Sequence, residues 1–599
     1  MTLEQAIPNF SDWIGEALFY LPLFIVFFAT AGFVIGYLVS AIRRGPVEGF
    51  YAVAQVIGSA VFDLANTSVR RTLAMAMLAV QESIRRKVLI AFAVFIVVLL
   101  FAGWYLDVKS DNPGRLYLSF VLTSSNYLVL ILALFLSTFS LPADIKNRTI
   151  YTIVTKPVRG TEIVLGRIIG FMTVGTAILV AMCLVSYLFV VRGLSHEHQV
   201  DGQIQTTLTE LAPDGLLQGV TTYDAHHRHT ITMYDDGTGE TDVVMGHYHS
   251  VKKVDADYKI GPPQGGLAAR VVRRGDLRFK DRSGNPGSGV NVGHEWAYRS
   301  YIEGGTLAAA VWTFDGMTAG KYPEGFNLEL NLRVFRTHKG NIEKGIRGSI
   351  TIRNPRAGAA ILSSEPISFS ATEFAIDRQF IPRQLKAIDS DGTVSDVDLF
   401  KDLTDDGKLE VWIQCSERGQ YYGMAEPDVY VLENDGNFAI NFIKGFVGIW
   451  LQMLMVTTFG VGFSTFLSGP VGMLATLSTI VVGLFRKFIV DLVTGVLEGG
   501  GPMEALIRTI TQANLTVDLD IGTYPTAVVK FIDGVFLTGL NLITISLPDY
   551  AGFSMTEFVA TGFNIEPSLL VIHILRALTY FVFVTLIGYF FLKTREVAA

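Results

Sequence analysis

Residues 18–42 read LFYLPLFIVFFATAGFVIGYLVSAI, an apolar run of 25 residues without a charged side chain. Such a run is long enough to cross about 30 Å of hydrocarbon, because a helix rises about 1.5 Å per residue. The residues before it include Glu4, Asp12 and Glu16 but no Lys or Arg, which is unlike a secretory signal peptide. The sequence therefore predicts a membrane-spanning helix here.

Six further apolar segments have the length of a membrane span or nearly so, at 88–106, 116–141, 168–191, 446–466, 471–490 and 569–592. Half of the 599 residues are hydrophobic and only 17% are charged, against about 25% in soluble proteins. This composition excludes a purely cytosolic enzyme. The net charge of −7 argues against nucleic-acid binding, because phosphates require a basic surplus.

Two other apolar stretches are interpreted separately. Residues 53–64 carry an apolar stripe at helical spacing, which predicts a helix lying at the membrane interface. Residues 528–547 are apolar but contain Lys530 and Asp533, and the sequence leaves open whether they re-enter the membrane or span it.

The distribution of basic residues predicts the orientation of these spans. Lys and Arg concentrate in the links 43–87 and 142–167 and in the C-terminal tail, whereas the N-terminus has none. Because cytoplasmic loops are enriched in Lys and Arg, seven spans place the N-terminus outside and the C-terminus inside. Residues 193–440 and the segment 497–567 are then expected outside the cytoplasmic (inner) membrane.

The link at 141–170 reads LPADIKNRTIYTIVTKPVRGTEIVLGRIIG. Ile145, Ile150 and Ile153 recur at roughly helical spacing, which predicts a short amphipathic helix. Pro157 ends this helix, because the residue before a proline is disfavoured in helical conformation. Further along, Gly166 and Gly170 match the small-xxx-small pattern of helix packing.

This link resembles the coupling region of ABC-2 type permease subunits of ABC transporters. The resemblance covers about 70–195 and 441–599, including AMLAVQESIRRK at 76–87 and FFLKTREV at 590–597. It implies that 144–155 is the coupling helix, which docks on the ATPase. The residues implied in ATPase coupling are Asp144, Lys146, Arg148, Thr149, Tyr151, Lys156, Pro157, Arg159 and Glu162.

The resemblance also implies partners. ATP and Mg would bind a separate ABC ATPase subunit, since the phosphate-loop-like residues 316–322 lack the required spacing. A second permease subunit, identical or related, would complete the complex within the lipid bilayer. No cofactor is expected in this chain, no nucleic acid is expected as a partner, and an extracytoplasmic partner stays open.

The predicted fold is an α-helical polytopic membrane protein with an inserted β-sandwich-like domain. Strand-like alternation occurs at 328–334, 349–352, 367–371, 409–414 and 428–432, with Asp-Gly turns between such runs. The predicted parts are an additional N-terminal span with an interfacial helix (1–69), the first half of the permease core (70–192), the β-rich domain (193–440) and the second half of the core (441–599). The additional span and the 248-residue insert depart from the family pattern.

Most of the ten histidines lie in the first part of the insert, in the groups His196-Glu-His198, His226-His227-Arg-His229 and His247-Tyr-His249. On a strand, residues i and i+2 point to the same face, so each His-x-His can present two imidazoles to a metal. The candidate ligands are His226, His227, His229, His247 and His249. No His-Glu-x-x-His or Cys-x-x-Cys motif frames them, so solvated loops and strand faces remain the alternative.

Polar side chains within the spans are candidates for lining a path. Asn126 lies in the third span, and His573 and Arg576 lie one turn apart in the last. Ionisable residues in spans are candidates for function, but hydrogen bonding between helices and anchoring at the interface are equally open.

Three functions are compatible with the sequence. The leading one is the transport subunit of an ATP-driven transporter with an unidentified substrate, and the family resemblance implies export. The second is a membrane-anchored extracytoplasmic binding or sensory protein whose β-domain binds a ligand or partner. The third is a metal-dependent surface enzyme. No serine or cysteine nucleophile motif is present, so the chain is not expected to be an enzyme.

Overall fold

The computed structural model describes residues 10–85, 87, 89–106, 112–147, 158–209, 212–234, 236–242, 244–254, 257–290, 299–337, 345–355, 362–371, 377–388, 393–495, 499–514 and 519–594. Its helices are α1 (Phe10–Arg44), α2 (Pro46–Ala65), α3 (Val69–Arg85), α4 (Leu89–Tyr105), α5 (Pro113–Lys146), α6 (Gly160–Leu194), α7 (Leu399–Asp402), α8 (Phe438–Ser464), α9 (Gly469–Leu484), α10 (Arg486–Val493), α11 (Pro502–Thr511), α12 (Thr523–Ser546), α13 (Thr556–Ala560) and α14 (Pro567–Thr594).

Seven of these helices are long and apolar enough to cross a membrane, namely α1, α2, α5, α6, α8, α12 and α14. The prediction of a membrane-embedded helical protein is confirmed at this level. The boundaries differ in places. The predicted span 88–106 is the 17-residue α4, and the predicted span 471–490 is broken into α9 and α10, which meet at an angle of 60°. Of the predicted stretch 528–547, all but Leu547 belongs to the continuous 24-residue α12.

Helix α2 includes the stretch predicted to lie at the interface, and it is also long enough to span. Its contacts place both of its ends near one end of the bundle. α1 runs parallel to α14, because Trp13 lies against Arg576 and Phe24 lies against Phe583. α2 starts where α1 finishes, and its Asp63 reaches Lys593 in the last turn of α14. A helix with both ends at the same end of the bundle lies across that end and does not run the length of the bundle.

The strands lie between α6 and α8, with bounds β1 (Val200–Thr209), β2 (Ala212–Thr221), β3 (Thr230–Met233), β4 (Thr238–Thr241), β5 (Tyr248–Val254), β6 (Asp257–Gln264), β7 (Arg270–Arg274), β8 (Asp276–Lys280), β9 (Pro286–Gly287), β10 (Ser300–Glu303), β11 (Ala309–Phe314), β12 (Gly325–Leu330), β13 (Arg333–Arg336), β14 (Ile346–Arg353), β15 (Ser363–Ser364), β16 (Ile367–Ala371), β17 (Asp377–Pro382), β18 (Gln384–Ile388), β19 (Val394–Asp398), β20 (Leu409–Cys415), β21 (Gln420–Met424) and β22 (Val429–Asp435). The separate strand-rich region predicted from the sequence is therefore present.

This region has two parts. Strands β1 to β6 form one antiparallel sheet in sequence order, which we call the His module (196–266). The other strands form sheets ordered β10-β21-β13, β17-β12-β22-β7 and β19-β18-β15-β14-β20-β11-β8-β9, with β16 beside β14. Along β20 every second side chain is buried, and these side chains enter one shared core that includes Trp312 and Tyr422.

A buried carboxylate connects the strands of the four-stranded sheet. Glu329 on β12 is 2% exposed and accepts hydrogen bonds from Arg378 on β17 and from the Tyr430 hydroxyl on β22. Arg270 on β7 lies 3.3 Å from the same carboxylate. These partners compensate the cost of burying its charge.

The β-rich region rests on one end of the helical bundle. The Arg270 amide donates to the Gly562 carbonyl, and Asn441 near the start of α8 donates to the Phe563 carbonyl. At the start of α5, a Cβ added to Gly114 would lie 2.6 Å from the Gly266 carbonyl oxygen, so only glycine permits this approach. The opposite end of the bundle carries α2, α3, the end of α5 and the start of α6.

Candidate metal centre and ion-pair network

Three His-x-His pairs come together in the His module. Each pair stands at the entrance of an odd-numbered strand: His196 and His198 precede β1, His227 and His229 precede β3, and His247 and His249 begin β5. Because β1 to β6 form successive hairpins in one sheet, the three pairs are brought to the same end of the module. We call these six residues the histidine cluster; His196 is partly buried and the other five are buried.

The same local structure positions the second and third pairs. The hydroxyl of Thr221 accepts a hydrogen bond from the His229 amide, and the hydroxyl of Thr241 accepts one from the His249 amide, both at 2.8 Å. A tight turn precedes each pair, with mutual backbone bonds between Asp224 and His227 in the first case. The connection from β2 to β3 and the connection from β4 to β5 are therefore repeats of one structural unit.

Backbone carbonyls fix the tautomer of most of these imidazoles. The Nδ1 atoms lie 2.8–3.0 Å from carbonyl oxygens of Leu194, Thr222, Ala225, Asp242 and Gly261, for His196, His198, His227, His229 and His249 respectively. A carbonyl only accepts, so Nδ1 must carry the proton in each of these five rings. In a neutral ring, Nε2 then presents a lone pair.

The Nε2 atoms point towards one another. Those of His196 and His247 are 3.0 Å apart, those of His247 and His227 are 3.1 Å apart, and those of His227 and His198 are 3.3 Å apart. The Nε2 atoms of His229 and His249 are buried without a hydrogen-bond partner. The rings of His198 and His227 both carry the proton on Nδ1, so their Nε2 atoms present two lone pairs 3.3 Å apart, which repel one another unless a positive group lies between them.

Burial favours the neutral form of five of the six imidazoles. Burial and the neighbouring imidazoles lower the pKa of His247 to about 3, and burial is the main cause that lowers the pKa of His249 to about 4. Burial also lowers the pKa values of His196, His227 and His229. Neutral imidazole is the form that ligates transition metals.

The cluster differs from the predicted ligand set. His226 was predicted as a ligand, but its side chain is exposed and its backbone has a φ of 66°, which turns it away from its neighbour His227. His196 and His198 belong to the cluster but were left out of the predicted ligands. The signal that could have revealed the repeat is a 20-residue period, since Thr221, His227 and His229 recur as Thr241, His247 and His249. The first pair falls outside this period because β1 and β2 are longer than β3 and β4.

At the opposite end of the bundle, Arg167 lies at the centre of a buried network. It is 4% exposed, and its guanidinium donates to the carboxylates of Glu82 on α3 and Asp144 on α5. Ser140 donates to Glu82 at 2.8 Å. Arg167 lies on α6, so one side chain connects three helices.

Glu162, in the first turn of α6, is a second anchor. Its side chain is fully buried and accepts hydrogen bonds from Arg71 Nη2 at 2.7 Å and from the Ser68 amide at 2.8 Å. Close packing accompanies these bonds, because Gly166 lies against Met75 on α3. The small-xxx-small pattern at 166–170 is thus used for contact between α6 and α3.

A third set of polar contacts involves the C-terminal helix. Asp63 of α2 accepts from Lys593 Nζ and from the Tyr589 hydroxyl of α14, both at 2.7 Å. Arg159 Nε lies 3.5 Å from the same carboxylate, and the Arg159 guanidinium stands 5.1 Å above the Phe62 ring. We call these three sets together the ion-pair network.

The network contains three of the residues predicted for ATPase coupling, namely Asp144, Arg159 and Glu162. Helix α5 continues through Pro142 to Lys146, so Asp144 and Lys146 end a long helix, where the sequence predicted the start of a separate short one. Arg148, Thr149, Tyr151, Lys156 and Pro157 lie outside the described residues. The network surrounds the two ends of the link 148–157.

The residues predicted to line a path, Asn126, His573 and Arg576, belong neither to the histidine cluster nor to the ion-pair network. Asn126 Oδ1 in α5 and His573 Nδ1 in α14 are buried atoms without a hydrogen-bond partner. His573 packs 5.1 Å from the Phe553 ring, and Arg576 stands 5.6 Å from the Trp13 ring of α1.

A scan against protein-family models gives no match for this chain, and a search of curated proteins gives none.

Proposed function

We propose that this chain is the membrane subunit of an ATP-driven transporter, similar to ABC-2 type permeases, and that a separate ATPase binds the link 148–157. The observation that carries this proposal is the ion-pair network at the two ends of that link. Arg167 joins the end of α5 to α6, and Glu162 joins the start of α6 to α3. A force applied to the link is therefore passed to several helices together.

The lengths of α5 and α6 give this force a route to the other side. The two helices have 34 and 35 residues, which at about 1.5 Å per residue is more than the hydrocarbon thickness. α5 begins beside the His module at Gly114, and α6 leads into it at His196. ATP-driven movement of the link would tilt both helices and shift the region above them.

The distribution of charge supports an orientation with the link in the cytoplasm. The network end of the bundle carries Arg71, Arg159 and Lys593, together with Arg43 and Arg44 at the end of α1. The positive-inside rule assigns this end to the cytoplasm and the β-rich region to the outside. The direction of transport follows only from the family resemblance, which favours export.

The second candidate is a membrane-anchored extracytoplasmic binding protein, and the histidine cluster favours it. That cluster is remote from the link 148–157, so it can bind a ligand whether or not an ATPase is present. A partner ATPase discriminates between the two functions, because a binding protein does not need one.

Purification in mild detergent tests the proposal. We expect an ATP-binding chain to co-purify with the wild type and to be lost when Arg148 and Lys156 are both changed to Glu, because the charge reversal disrupts its contact. The control is the double change of Lys321 and Lys401 to Glu, at two exposed positions in the β-rich region. Mass spectrometry identifies the partner, and an ATPase assay reports its activity. Wild-type protein that is folded and free of any ATP-binding chain would contradict the proposal.

A further inference from the structure

We propose that the histidine cluster binds one divalent first-row transition-metal ion through six imidazole Nε2 atoms and that this ion holds the His module together. The inference does not depend on the transport function, since it concerns only residues 196–266. It is carried by the relative placement of the six rings, by the fixed tautomers of five of them and by the small core of the module.

The six rings have the arrangement of the corners of an octahedron. Adjacent corners correspond to ring pairs whose centroids are 4.7–5.3 Å apart, with the planes steeply inclined. Every pair in the cluster belongs to this set except His196 with His229, His198 with His247, and His227 with His249. These three pairs share no residue, as the three opposite pairs of an octahedron must.

The distances also fit a metal ion. In an octahedron the edge is √2 times the distance from the centre to a corner, so Nε2 separations of 3.0–3.3 Å place each nitrogen about 2.1–2.3 Å from a common centre. Metal–imidazole bonds in proteins are about 2.0–2.1 Å for zinc, and six-coordinate ions have slightly longer bonds. Opposite corners of an octahedron are separated by twice the distance from the centre to a corner. The ligand atoms of His196 and His229, which form one opposite pair, fit this separation because they lie within 4.8 Å of one another.

The hydrogen bonds around the cluster are those that metal-binding histidines make. Ligating imidazoles almost always donate the other ring N–H to a carbonyl or carboxylate, which orients the ring. Here Nδ1 of five rings faces a backbone carbonyl, and Asp242 Oδ1 lies 3.5 Å from His229 Nδ1. Among the described residues, no protein donor is aimed at the Nε2 atoms of His229 and His249. A cation binds the Nε2 lone pairs of these five rings at once, together with that of His247 when its proton is on Nδ1.

The ligand set restricts the metal. Six neutral nitrogens exclude Mg²⁺ and Ca²⁺, which prefer oxygen, whereas imidazole suits Fe²⁺, Ni²⁺, Cu²⁺ and Zn²⁺. Zinc favours four ligands and Cu²⁺ favours tetragonal geometry, so Fe²⁺ and Ni²⁺ fit the octahedral arrangement best. Six protein ligands leave no position for water or substrate, which identifies the site as structural and argues against the metal-dependent enzyme.

The His module has reason to need such an ion. Its buried hydrophobic cluster among the described side chains consists of Ile231, Met233 and Val251. A module of about 70 residues with so small a core usually depends on a metal, disulfides or a partner for stability. The free cysteines Cys183 and Cys415 lie outside it. Because His196 follows α6 directly and bonds back to Leu194, the ion also attaches the module to that helix.

Metal analysis of the full chain in detergent tests the proposal. The protein is stripped with a chelator, dialysed against Fe²⁺, Ni²⁺ or Zn²⁺ in turn, and examined by elemental analysis and X-ray absorption. We expect one Fe²⁺ or Ni²⁺ per chain, six nitrogen neighbours at one distance and at least a hundredfold weaker binding in His227→Ala/His247→Ala. The matched control is His226→Ala, which removes an exposed neighbour of His227 and should bind like the wild type.

The wild-type measurements stand without any variant. Folded protein that takes up no ion, or an ion with four ligands including oxygen, would overturn the proposal. Retention of the ion at full affinity in His227→Ala/His247→Ala would do the same. If the double variant does not fold, His229→Asn is measured in its place, since it shortens one ligand and keeps a polar side chain in the cluster. Co-purification of an ATPase is scored separately, so failure of the metal site and failure of the transport function are distinguishable.

Discussion

Removal of the metal ion is expected to unfold the His module while the larger β-rich part keeps its structure. An ion that binds only the folded module stabilises it by about 2.7 kcal/mol at a hundred times its Kd and by about 4.1 kcal/mol at a thousand times. Without the ion, the repulsion between converging lone pairs remains and the core of Ile231, Met233 and Val251 is too small to offset it. The larger part has its own core around Trp312 and Tyr422.

Hydrogen exchange on the full chain measures this difference region by region. After chelation, peptides from 212–234 and 244–254 should lose protection, whereas peptides from β14 and β20 should keep it. Addition of Ni²⁺ should restore the protection, and His226→Ala should behave as the wild type does. Equal protection of the His module with and without metal would contradict a structural role for the ion.

Replacement of Arg167 by Met is expected to cause the largest loss of stability in the helical bundle. The change removes the guanidinium that the carboxylates of Glu82 and Asp144 share, and breaking a buried ion pair from one side costs about 3–5 kcal/mol. The matched control is Arg192→Met in the last turn of α6, where the arginine is exposed. Thermal unfolding in detergent should show a clear fall in Tm for the first variant and almost none for the second.

A rescue experiment separates charge from packing. Combining Arg167→Met with Glu82→Gln and Asp144→Asn also removes the two carboxylate charges that Arg167 contacts, so this triple variant should recover most of the lost Tm. If the triple variant is as unstable as the single one, the arginine stabilises the bundle by shape and the ion-pair account is wrong. If the single variant is as stable as Arg192→Met, the network does not hold α3, α5 and α6 together.

Local patterns predicted most of the secondary structure. The apolar runs at 18–42 and 116–141 are parts of α1 and α5, and the alternating runs at 367–371 and 409–414 are parts of β16 and β20. These signals depend only on neighbouring residues, because burial repeats every two residues in a strand and a span needs a minimum length. The predicted span 116–141 ends too early, because α5 continues through Pro142 to Lys146, where Asp144 contacts Arg167 of α6.

The candidate sites could be predicted only in part, because they depend on contacts between distant residues. The i and i+2 rule predicts that the two histidines of each His-x-His share a face, but it could not show that hairpins of unequal length bring His196 beside His247. Nor could the sequence show that Arg167 lies between Glu82 and Asp144, which are 85 and 23 residues away along the chain. Such long-range pairings follow from the packing of α3, α5 and α6.

The most direct test of the transport function is photo-crosslinking in cells from a residue of the link. A photoreactive amino acid replaces Tyr151, and the control carries it at Tyr234, an exposed position in the His module. We expect irradiation to join the Tyr151 position to an ATP-binding protein, with no such product from the Tyr234 position. If no ATP-binding protein is joined to the Tyr151 position, or if one is joined only to the Tyr234 position, the proposal that this link receives force from an ATPase is wrong.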